Sequence, residues 1–198
     1  SGFCRNFGIK NSTGYYIAFL DADDYWLENK LIKQIKFLES ETNVNFTYCD
    51  YYREIHYRNK LFFFKENTPV MVDITKNKYI NHIPNSSVLI TSILAKRISY
   101  PSLRVRNDFL YWNKLLKVNK KIKAYNFDLG RPYFVYGSNL GISSNKIKLV
   151  RNQWFLYRKN FRYSYIESIY GIFLNIIINI FKKIIIKFSK KKVLKTHL

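Results

Sequence analysis

An apolar run that ends abruptly in carboxylates is the feature that most constrains how this chain folds. Residues Tyr15 to Leu20 are apolar or aromatic, and Asp21, Asp23 and Asp24 follow almost at once. A short continuous apolar run is typical of a strand that is buried on both faces. In open α/β sheets, ligands gather at the carboxyl ends of the strands. The pattern therefore predicts a ligand-binding edge where this strand ends.

The aspartates at this edge admit two interpretations. Carboxylates this close together repel one another, and hard oxygen ligands suit Mg²⁺ or Mn²⁺, which bridge protein carboxylates to a substrate diphosphate. On this interpretation Asp21 and Asp23 hold the metal ion. The alternative is that Asp23 or Asp24 caps the helix that follows, with Asp24 the better placed of the two.

Strand-like and helix-like segments alternate along the chain, which predicts an α/β fold. Beyond the first strand, extended segments are predicted at residues 44–52, 86–91, 122–127 and 133–136, and residues 61–73 are ambiguous. Helices are predicted at residues 26–38, 108–118 and 146–160. In the first of these helices, Lys30, Lys33 and Lys36 are expected to face away from the apolar side.

The chain is strongly basic, with 34 Lys and Arg against 13 Asp and Glu and a net charge of +21. Such a surplus indicates an anionic partner, which can be nucleic acid, a membrane surface or a phosphorylated small molecule. No compact basic–aromatic motif occurs, which argues against nucleic acid. Cys4 and Cys49 belong to no metal-binding cluster, which argues against a structural zinc site and suits a reducing cytoplasm.

Residues 161–198 differ in character from the domain predicted for residues 1–160. The stretch from Ile169 to Phe181 is apolar apart from a glycine and two asparagines, and seven lysines follow by residue 195. This stretch is shorter than the ~20 residues that span a membrane comfortably. It suits an interfacial helix with a cationic end on an anionic leaflet. A terminal helix packed on the domain, or a full span, are the alternatives.

Two segments, Cys4–Lys10 and Gly14–Asp24, resemble the central block of the family 2 glycosyltransferases. In that family an Ala-Arg-Asn-x-Gly helix leads into a Gly-x-Tyr-Ile strand and an Asp-x-Asp motif. The resemblance extends less sharply through Trp154. It implies a GT-A fold, which is a Rossmann-like sheet with flanking helices, together with a nucleotide-sugar donor and Mg²⁺ or Mn²⁺. It also implies an N-terminally truncated domain that lacks the nucleotide-binding strands.

The resemblance also implies roles for residues near the motif. Asp21 would lie near the donor ribose or the metal ion, and Asp23 would ligate the metal. Arg5 would help to hold the donor's phosphates, with a structural ion pair as the alternative. Residues 138–146 resemble a small polar stretch that follows the helix of the catalytic base in several bacterial members. Acceptor contact and ordinary loop and helix chemistry are the two interpretations of this stretch.

The family usually takes its catalytic base from the aspartate of a Glu-Asp pair that opens a helix. Asp108 matches that aspartate, whereas Asn107 departs from the usual Glu. Asp108 as a helix cap is the alternative interpretation. An inverting reaction needs such a carboxylate to take the proton of the acceptor hydroxyl.

The function implied is metal-dependent, inverting transfer of a sugar from a nucleotide-sugar donor to a cell-surface glycan or a lipid-linked acceptor. The protein is expected to be cytoplasmic and peripheral on the inner face of the membrane. Two alternatives stay open, because the donor-binding strands are missing. One is a non-enzymatic basic module that binds membrane or nucleic acid, and the other is an inactive remnant of the enzyme.

Overall fold

The computed structural model describes residues 2–57, 60–103, 106–119, 122–136 and 146–195. They form two compact units, Ser1–Asn145 and Lys146–Leu198. The first unit contains, in chain order, α1 (Gly2–Asn11), β1 (Tyr16–Ala18), β2 (Tyr25–Trp26), α2 (Lys30–Ser40), β3 (Phe46–Tyr48), β4 (Asp50–Tyr57), β5 (Lys60–Glu66), β6 (Met71–Val72), β7 (Leu89–Thr91), α3 (Ser92–Ala95), α4 (Asn107–Val118), β8 (Ala124–Asn126) and β9 (Pro132–Tyr136). The second contains α5 (Lys146–Phe155), a π-helical turn (Leu156–Asn160) and α6 (Tyr165–Lys195). The functional division into residues 1–160 and 161–198 stays a prediction.

The strands of the first unit form two mixed sheets among the described residues. The first sheet has the order β1-β7-β3-β8-β6, in which only β3 and β8 are parallel. The second has the order β2-β9-β4-β5, in which only β4 and β9 are parallel. Sheets that alternate with helices along the chain confirm the predicted α/β class.

The strand predicted before the aspartates is present as β1, although it is less buried than expected. Ile17 is buried and its neighbours Tyr16 and Ala18 are half-buried. The strand lies at the end of its sheet and pairs antiparallel with β7. An edge strand is covered less completely than a central one, which explains the exposure.

One long strand was predicted at residues 44–52, and the structure divides it between the two sheets. β3 ends at Tyr48 and belongs to the first sheet, whereas β4 begins at Asp50 and belongs to the second. Cys49, which is buried between them, is the point where the chain changes sheet. Residues 46–51 are all buried, so the burial pattern does not mark the change of sheet.

The helix predicted at residues 108–118 is confirmed as α4. Its apolar residues Phe109, Trp112, Leu115 and Leu116, which recur at helical spacing, are fully buried. Trp112 packs edge-on against Phe19, with ring centroids 5.3 Å apart, and also against Phe46 at 5.2 Å. The residue that follows β1 therefore rests on the same aromatic core that holds α4 in place.

The helix predicted from residue 26 begins later than expected, at Lys30. Tyr25 and Trp26 instead pair with β9. Asn29, at the N-cap position of α2, has a left-handed φ of 64°. Lys30, which was expected to face away, is buried. Its ammonium donates to Gln34 at 2.9 Å and lies 4.5 Å from the Trp26 ring centre. Burial lowers the pKa of Lys30 to about 8.

The second unit is helical, as predicted for residues 146–160. In α6 the apolar stretch is longer than the sequence suggested, because a 21-residue segment, Tyr165–Ile185, is long and apolar enough to cross a membrane. Within that segment only Ser168 and Gly171 are buried. Ser164 and Glu167 form a reciprocal capping box at the start of α6, with hydrogen bonds of 2.9 and 3.2 Å.

A buried carboxylate joins the two sheets of the first unit. Asp50, at the start of β4, is completely buried and accepts hydrogen bonds from the backbone and hydroxyl of Thr68, at 2.7 and 2.8 Å. It also accepts from the Asn126 amide and from the Gly130 N–H, each at 2.8 Å. These donors come from three separate segments, so one side chain holds the sheet junction together.

We expect Asp50→Ala to lower the free energy of unfolding of the chain by about 3 kcal/mol or more, because three buried donors and one partly buried donor lose their acceptor. Urea unfolding followed by circular dichroism measures this. The matched control is Glu39→Ala, which removes an exposed carboxylate and should change stability by less than about 0.5 kcal/mol. Equal effects of the two changes would contradict the role assigned to Asp50.

Candidate active site

The antiparallel pairing of β1 with β7 decides what surrounds the aspartates. Ala18 lies opposite Leu89, so residues that follow β1 meet residues that precede β7. The backbone N–H of Asp21 accordingly donates to the Ser86 hydroxyl at 3.0 Å, and the Asn85 amide donates to Asp21 Oδ1 at 2.8 Å. The carboxylate edge is thus built from two strand ends rather than one.

Arg5 connects this edge to the start of α4. Its guanidinium forms an ion pair with the carboxylate of Asp21 and donates to Asn107 Oδ1 at 3.1 Å. It also lies 4.9 Å from the ring centre of Tyr100. Asn6 makes two hydrogen bonds with the backbone of Tyr100, at 2.8 and 2.6 Å, which hold α1 against that residue. Three separate segments therefore converge on one guanidinium.

Asn107, which stands where the family usually has Glu, has a structural role at the start of α4. Its Oδ1 accepts from Arg5 and also, at 2.8 Å, from the backbone N–H of Asp108. An amide oxygen serves both donors without adding a negative charge beside Asp21 and Asp108. The substitution therefore preserves the hydrogen bonds at the start of α4 and leaves Arg5 to pair with Asp21.

Asp108 lies in the first turn of α4, and Arg106 rather than Asp108 stands at the N-cap position. The Asn81 amide donates to Asp108 Oδ2 at 2.8 Å. Burial raises the pKa of Asp108, and the Asp21 carboxylate raises it further. A backbone hydrogen bond from Phe109 and the guanidinium groups of Arg106 and Arg5 oppose these effects. Asp108 is therefore a more basic carboxylate than one exposed to water.

Asp23 and Asp24 lie at the same edge in different settings. Asp24 accepts a hydrogen bond from the Ser86 hydroxyl, and α2 begins only at Lys30, so the prediction that Asp24 caps the following helix is wrong. The side chain of Asp23 is exposed. Together with Asp24 it helps to raise the pKa of Tyr136 on β9, for which burial is the main cause.

The donor set at this edge suits a hard divalent cation whose remaining ligands come from a substrate. Within the described ranges no group of three or more His, Cys, Asp or Glu side chains converges. Of the two oxygens of Asp21, Oδ1 is engaged by Arg5 and Asn85. Asp21 Oδ2 and the exposed carboxylate of Asp23 are the oxygens that could bind such a cation. Its remaining ligands would be phosphate and water oxygens.

The structure brings Arg5, Asp21 and Asp108 into one hydrogen-bonded and electrostatic network. Their assigned roles as donor-binding, metal-binding and catalytic residues stay predictions, as does that of Asp23. The ion pair proposed as the alternative for Arg5 is present. The predicted acceptor contacts at residues 138–145 lie outside the described residues.

Sequence reasoning missed four polar residues of this network. They are Asn81, Asn85, Ser86 and Tyr100, whose hydrogen-bond partners in the network lie between 15 and 94 positions away in the sequence. The available signal was the polar stretch Asn85–Ser87, which stands immediately before an apolar strand. Small polar residues there have no reason to be buried unless they hydrogen-bond to something.

The sheets and flanking helices of the first unit are of the GT-A fold type. The fold resembles that of S. aureus TarS 1-349, with a TM-score of 0.54 at 18% identity over 78% of this chain and 43% of that one. Residues 4–93 match the family described as Glycosyl transferase family 2. This segment, 90 of the 198 residues, belongs to glycosyl transferase family 2.

Curated relatives agree with this assignment. The chain is 36% identical over 144 residues to the UDP-Glc:alpha-D-GlcNAc-diphosphoundecaprenol beta-1,3-glucosyltransferase WfaP of Escherichia coli, covering 73% of this chain and 54% of the relative. It is 31% identical over 166 residues to the putative teichuronic acid biosynthesis glycosyltransferase TuaG of Bacillus subtilis, covering 83% and 63%. The chain thus spans a little over half the length of these relatives.

The raised pKa of Asp108 predicts an unusual effect of Asp108→Asn on stability. Because the folded-state pKa exceeds the unfolded value of about 3.9, ionisation of Asp108 costs stability as pH rises through that interval. We expect the Asn variant to match the wild type near pH 3.5 and to be the more stable of the two at pH 7. Urea unfolding at both pH values measures the difference.

Asp73→Asn is the matched control, because the pKa of Asp73 is shifted in the opposite direction from that of Asp108. Hydrogen bonds from the Lys76 N–H and the Thr75 hydroxyl lower the pKa of Asp73. Its ionised form therefore stabilises the fold above the unfolded pKa, and this contribution is lost as pH falls. The control variant should be less stable than the wild type at pH 7. A loss of stability at pH 7 in Asp108→Asn as well would contradict the assignment.

Proposed function

We propose that this protein transfers a sugar from a nucleotide-sugar donor to a lipid-linked or cell-surface glycan, in a metal-dependent reaction with inversion. The observation that carries the proposal is the coupling of Asp108 to Asp21 through Asn107 and Arg5. It joins a basic carboxylate to the motif expected to bind the donor. The diphosphoundecaprenol-linked acceptor of WfaP and the teichuronic acid biosynthesis assigned to TuaG support the acceptor class.

In the proposed reaction, Asp108 takes the proton of an acceptor hydroxyl as its oxygen attacks the anomeric carbon. The bond from that carbon to the diphosphate breaks, and the nucleoside diphosphate leaves. The raised pKa of Asp108 strengthens the base, and the hydrogen bond from Asn81 orients its carboxylate.

Asp23 and Asp21 would hold the divalent cation, which supplies positive charge for the leaving diphosphate when it is bound. Arg5 already pairs with Asp21 and keeps that carboxylate in place. Its guanidinium is partly exposed, with 25% of the side-chain surface accessible, so it can also face a phosphate at this edge.

We expect Asp108→Asn to lower the rate of sugar transfer by about 10²- to 10⁴-fold, the usual contribution of a general base. The assay measures release of UDP from UDP-glucose in the presence of Mn²⁺ and a lipid-linked glycan acceptor. Because the chain covers 54% of WfaP, it is assayed joined to the remaining part of that relative. Transfer by the variant at the wild-type rate would refute the base assignment.

Two further variants separate the base from the metal site. Asp23→Asn should raise the Mn²⁺ concentration needed for half-maximal transfer, whereas Asp108→Asn should leave that concentration unchanged. Glu39→Gln, an exposed carboxylate on α2, should alter neither quantity.

We also propose that the second unit attaches the protein to the cytoplasmic face of a membrane. Its residues 146–198 carry thirteen Lys and Arg and a single carboxylate, Glu167. Exposed apolar side chains of α6 recur at three- and four-residue spacing, and they include Ile166, Ile169, Phe173, Ile176 and Ile180. Such a helix gains apolar contacts from lipid and charge attraction from an anionic leaflet.

The distribution of charge favours a helix that lies in the interface over one that spans. Arg158, Lys159 and Arg162 precede the apolar segment, and Lys182 and Lys183 follow its central part. Basic residues at both ends favour the same cytoplasmic leaflet. The polar side chains within the segment are already satisfied, since Asn175 and Asn179 donate to carbonyls one turn earlier, at 2.7 and 2.8 Å.

We expect the chain to float with phosphatidylglycerol vesicles and to bind phosphatidylcholine vesicles at least about tenfold more weakly, because cationic residues near an anionic surface each contribute about 1 kcal/mol. Changing five tail lysines to Gln should remove this preference: Lys182, Lys183, Lys187, Lys190 and Lys191. Changing five exposed lysines of the first unit should preserve it: Lys10, Lys36, Lys76, Lys114 and Lys117.

Extraction at alkaline pH distinguishes the two membrane arrangements. An interfacial helix releases the protein into the soluble fraction, whereas a spanning helix retains it. Retention after extraction would overturn the peripheral arrangement.

A further inference from the structure

An apolar groove runs along one side of the second unit. Its lining consists of one face of α5 and one residue of α6: Ile147, Val150, Arg151, Trp154 and Ile172. The α5 residues recur at three- and four-residue spacing, so they form a continuous stripe. The groove has a volume of about 580 Å³, within the ~300–1,000 Å³ usual for small-molecule sites.

The stripe is not part of the packed core of this unit. The core uses other positions, and Gln153, Leu156, Tyr157, Ser168 and Gly171 are buried. Ile147 is 85% exposed and Val150 is 39% exposed, so the lining faces solvent. Apolar side chains that line a groove and remain open to solvent are available to a ligand.

The charges around the groove select the ligand. Arg151 is the one charged residue among those that line it, and the unit as a whole carries thirteen cationic side chains against Glu167. A second copy of this unit would be repelled by that charge. An amphiphile with an apolar chain and an anionic head is attracted, since its chain matches the lining and its head matches Arg151.

We propose that this groove binds the hydrocarbon chain of an isoprenoid diphosphate lipid, with Arg151 paired to the diphosphate. The choice of this lipid rests on the proposed function, because an acceptor carried on a diphosphate-linked polyprenol presents this combination of groups. One chain in a groove together with a polybasic segment supplies the two attachments that stable binding to lipid requires.

The test measures binding of geranylgeranyl diphosphate to the full chain in nonionic detergent, without any sugar donor. Trp154 lines the groove and reports on it directly, so its fluorescence should change on binding, and Trp154→Phe should remove that change. Val150→Asp places a charge in the lining and should weaken binding by at least about tenfold.

Ile169→Asp is the matched control, because it places the same charge at a position that is 60% exposed on α6 outside the groove. It should change the affinity by less than about twofold. Arg151→Gln should weaken binding of the diphosphate and leave binding of geranylgeraniol, which lacks the phosphates, unchanged. Circular dichroism verifies that each variant retains its helices.

Three results would overturn the inference. They are equal losses in Val150→Asp and Ile169→Asp, full competition by inorganic pyrophosphate alone, or equal competition by phosphatidylglycerol. The first indicates non-specific partition, the second a head-group site and the third a general lipid surface. Asp108→Asn should bind the probe like the wild type, so a failure of the proposed sugar transfer is distinguishable from a failure of the groove.

Discussion

The ion pair between Arg5 and Asp21 is the contact on which the candidate site depends. Both side chains are partly exposed, and their attraction alone would contribute little at a surface. Here the pair is embedded in a network, because Asn107, Asn85 and Tyr100 contact the same two groups. Removal of Arg5 would leave Asp21 beside another carboxylate without its cation, and three segments would lose their common contact.

Asp108 is held rigidly in a buried position, and this position destabilises its ionised form. Asp108 sits on a helix whose inner face is locked by a buried aromatic cluster, so its position is well defined. The same burial disfavours its charge. Proteins commonly accept such a cost where a carboxylate must act as a base near neutral pH. The amide of Asn107 limits the cost, since a second carboxylate at that position would add repulsion.

The positive charge of the chain is concentrated in the second unit. More than half of the surplus belongs to residues 146–198, which also expose the long apolar helix and the groove beside it. Cationic and apolar surface together match the two faces of an anionic lipid, namely its head and its chain. The carboxylates lie mainly in the first unit. Several of them accept hydrogen bonds or form an ion pair at the sheet junction and in the candidate site.

Local sequence pattern was sufficient for much of this fold. The strand before the aspartates, the helix α4 with its four buried residues and the helical second unit all follow from periodicity, because burial repeats with the geometry of each element. The motif around Asp21 was equally readable, since family resemblance is carried by contiguous residues. The candidate residues Arg5, Asp21 and Asp108 were therefore found before the fold was known.

Tertiary structure alone decided the remaining features. The change of sheet at Cys49, the burial of Lys30 and the partner of Asp24 each depend on which distant segment lies alongside. Asn85 and Ser86 reach the aspartates because β1 runs antiparallel to β7, more than sixty residues later in the chain. Hydrogen bonds of that range are set by strand pairing, and no local spacing in the sequence records which strands will pair.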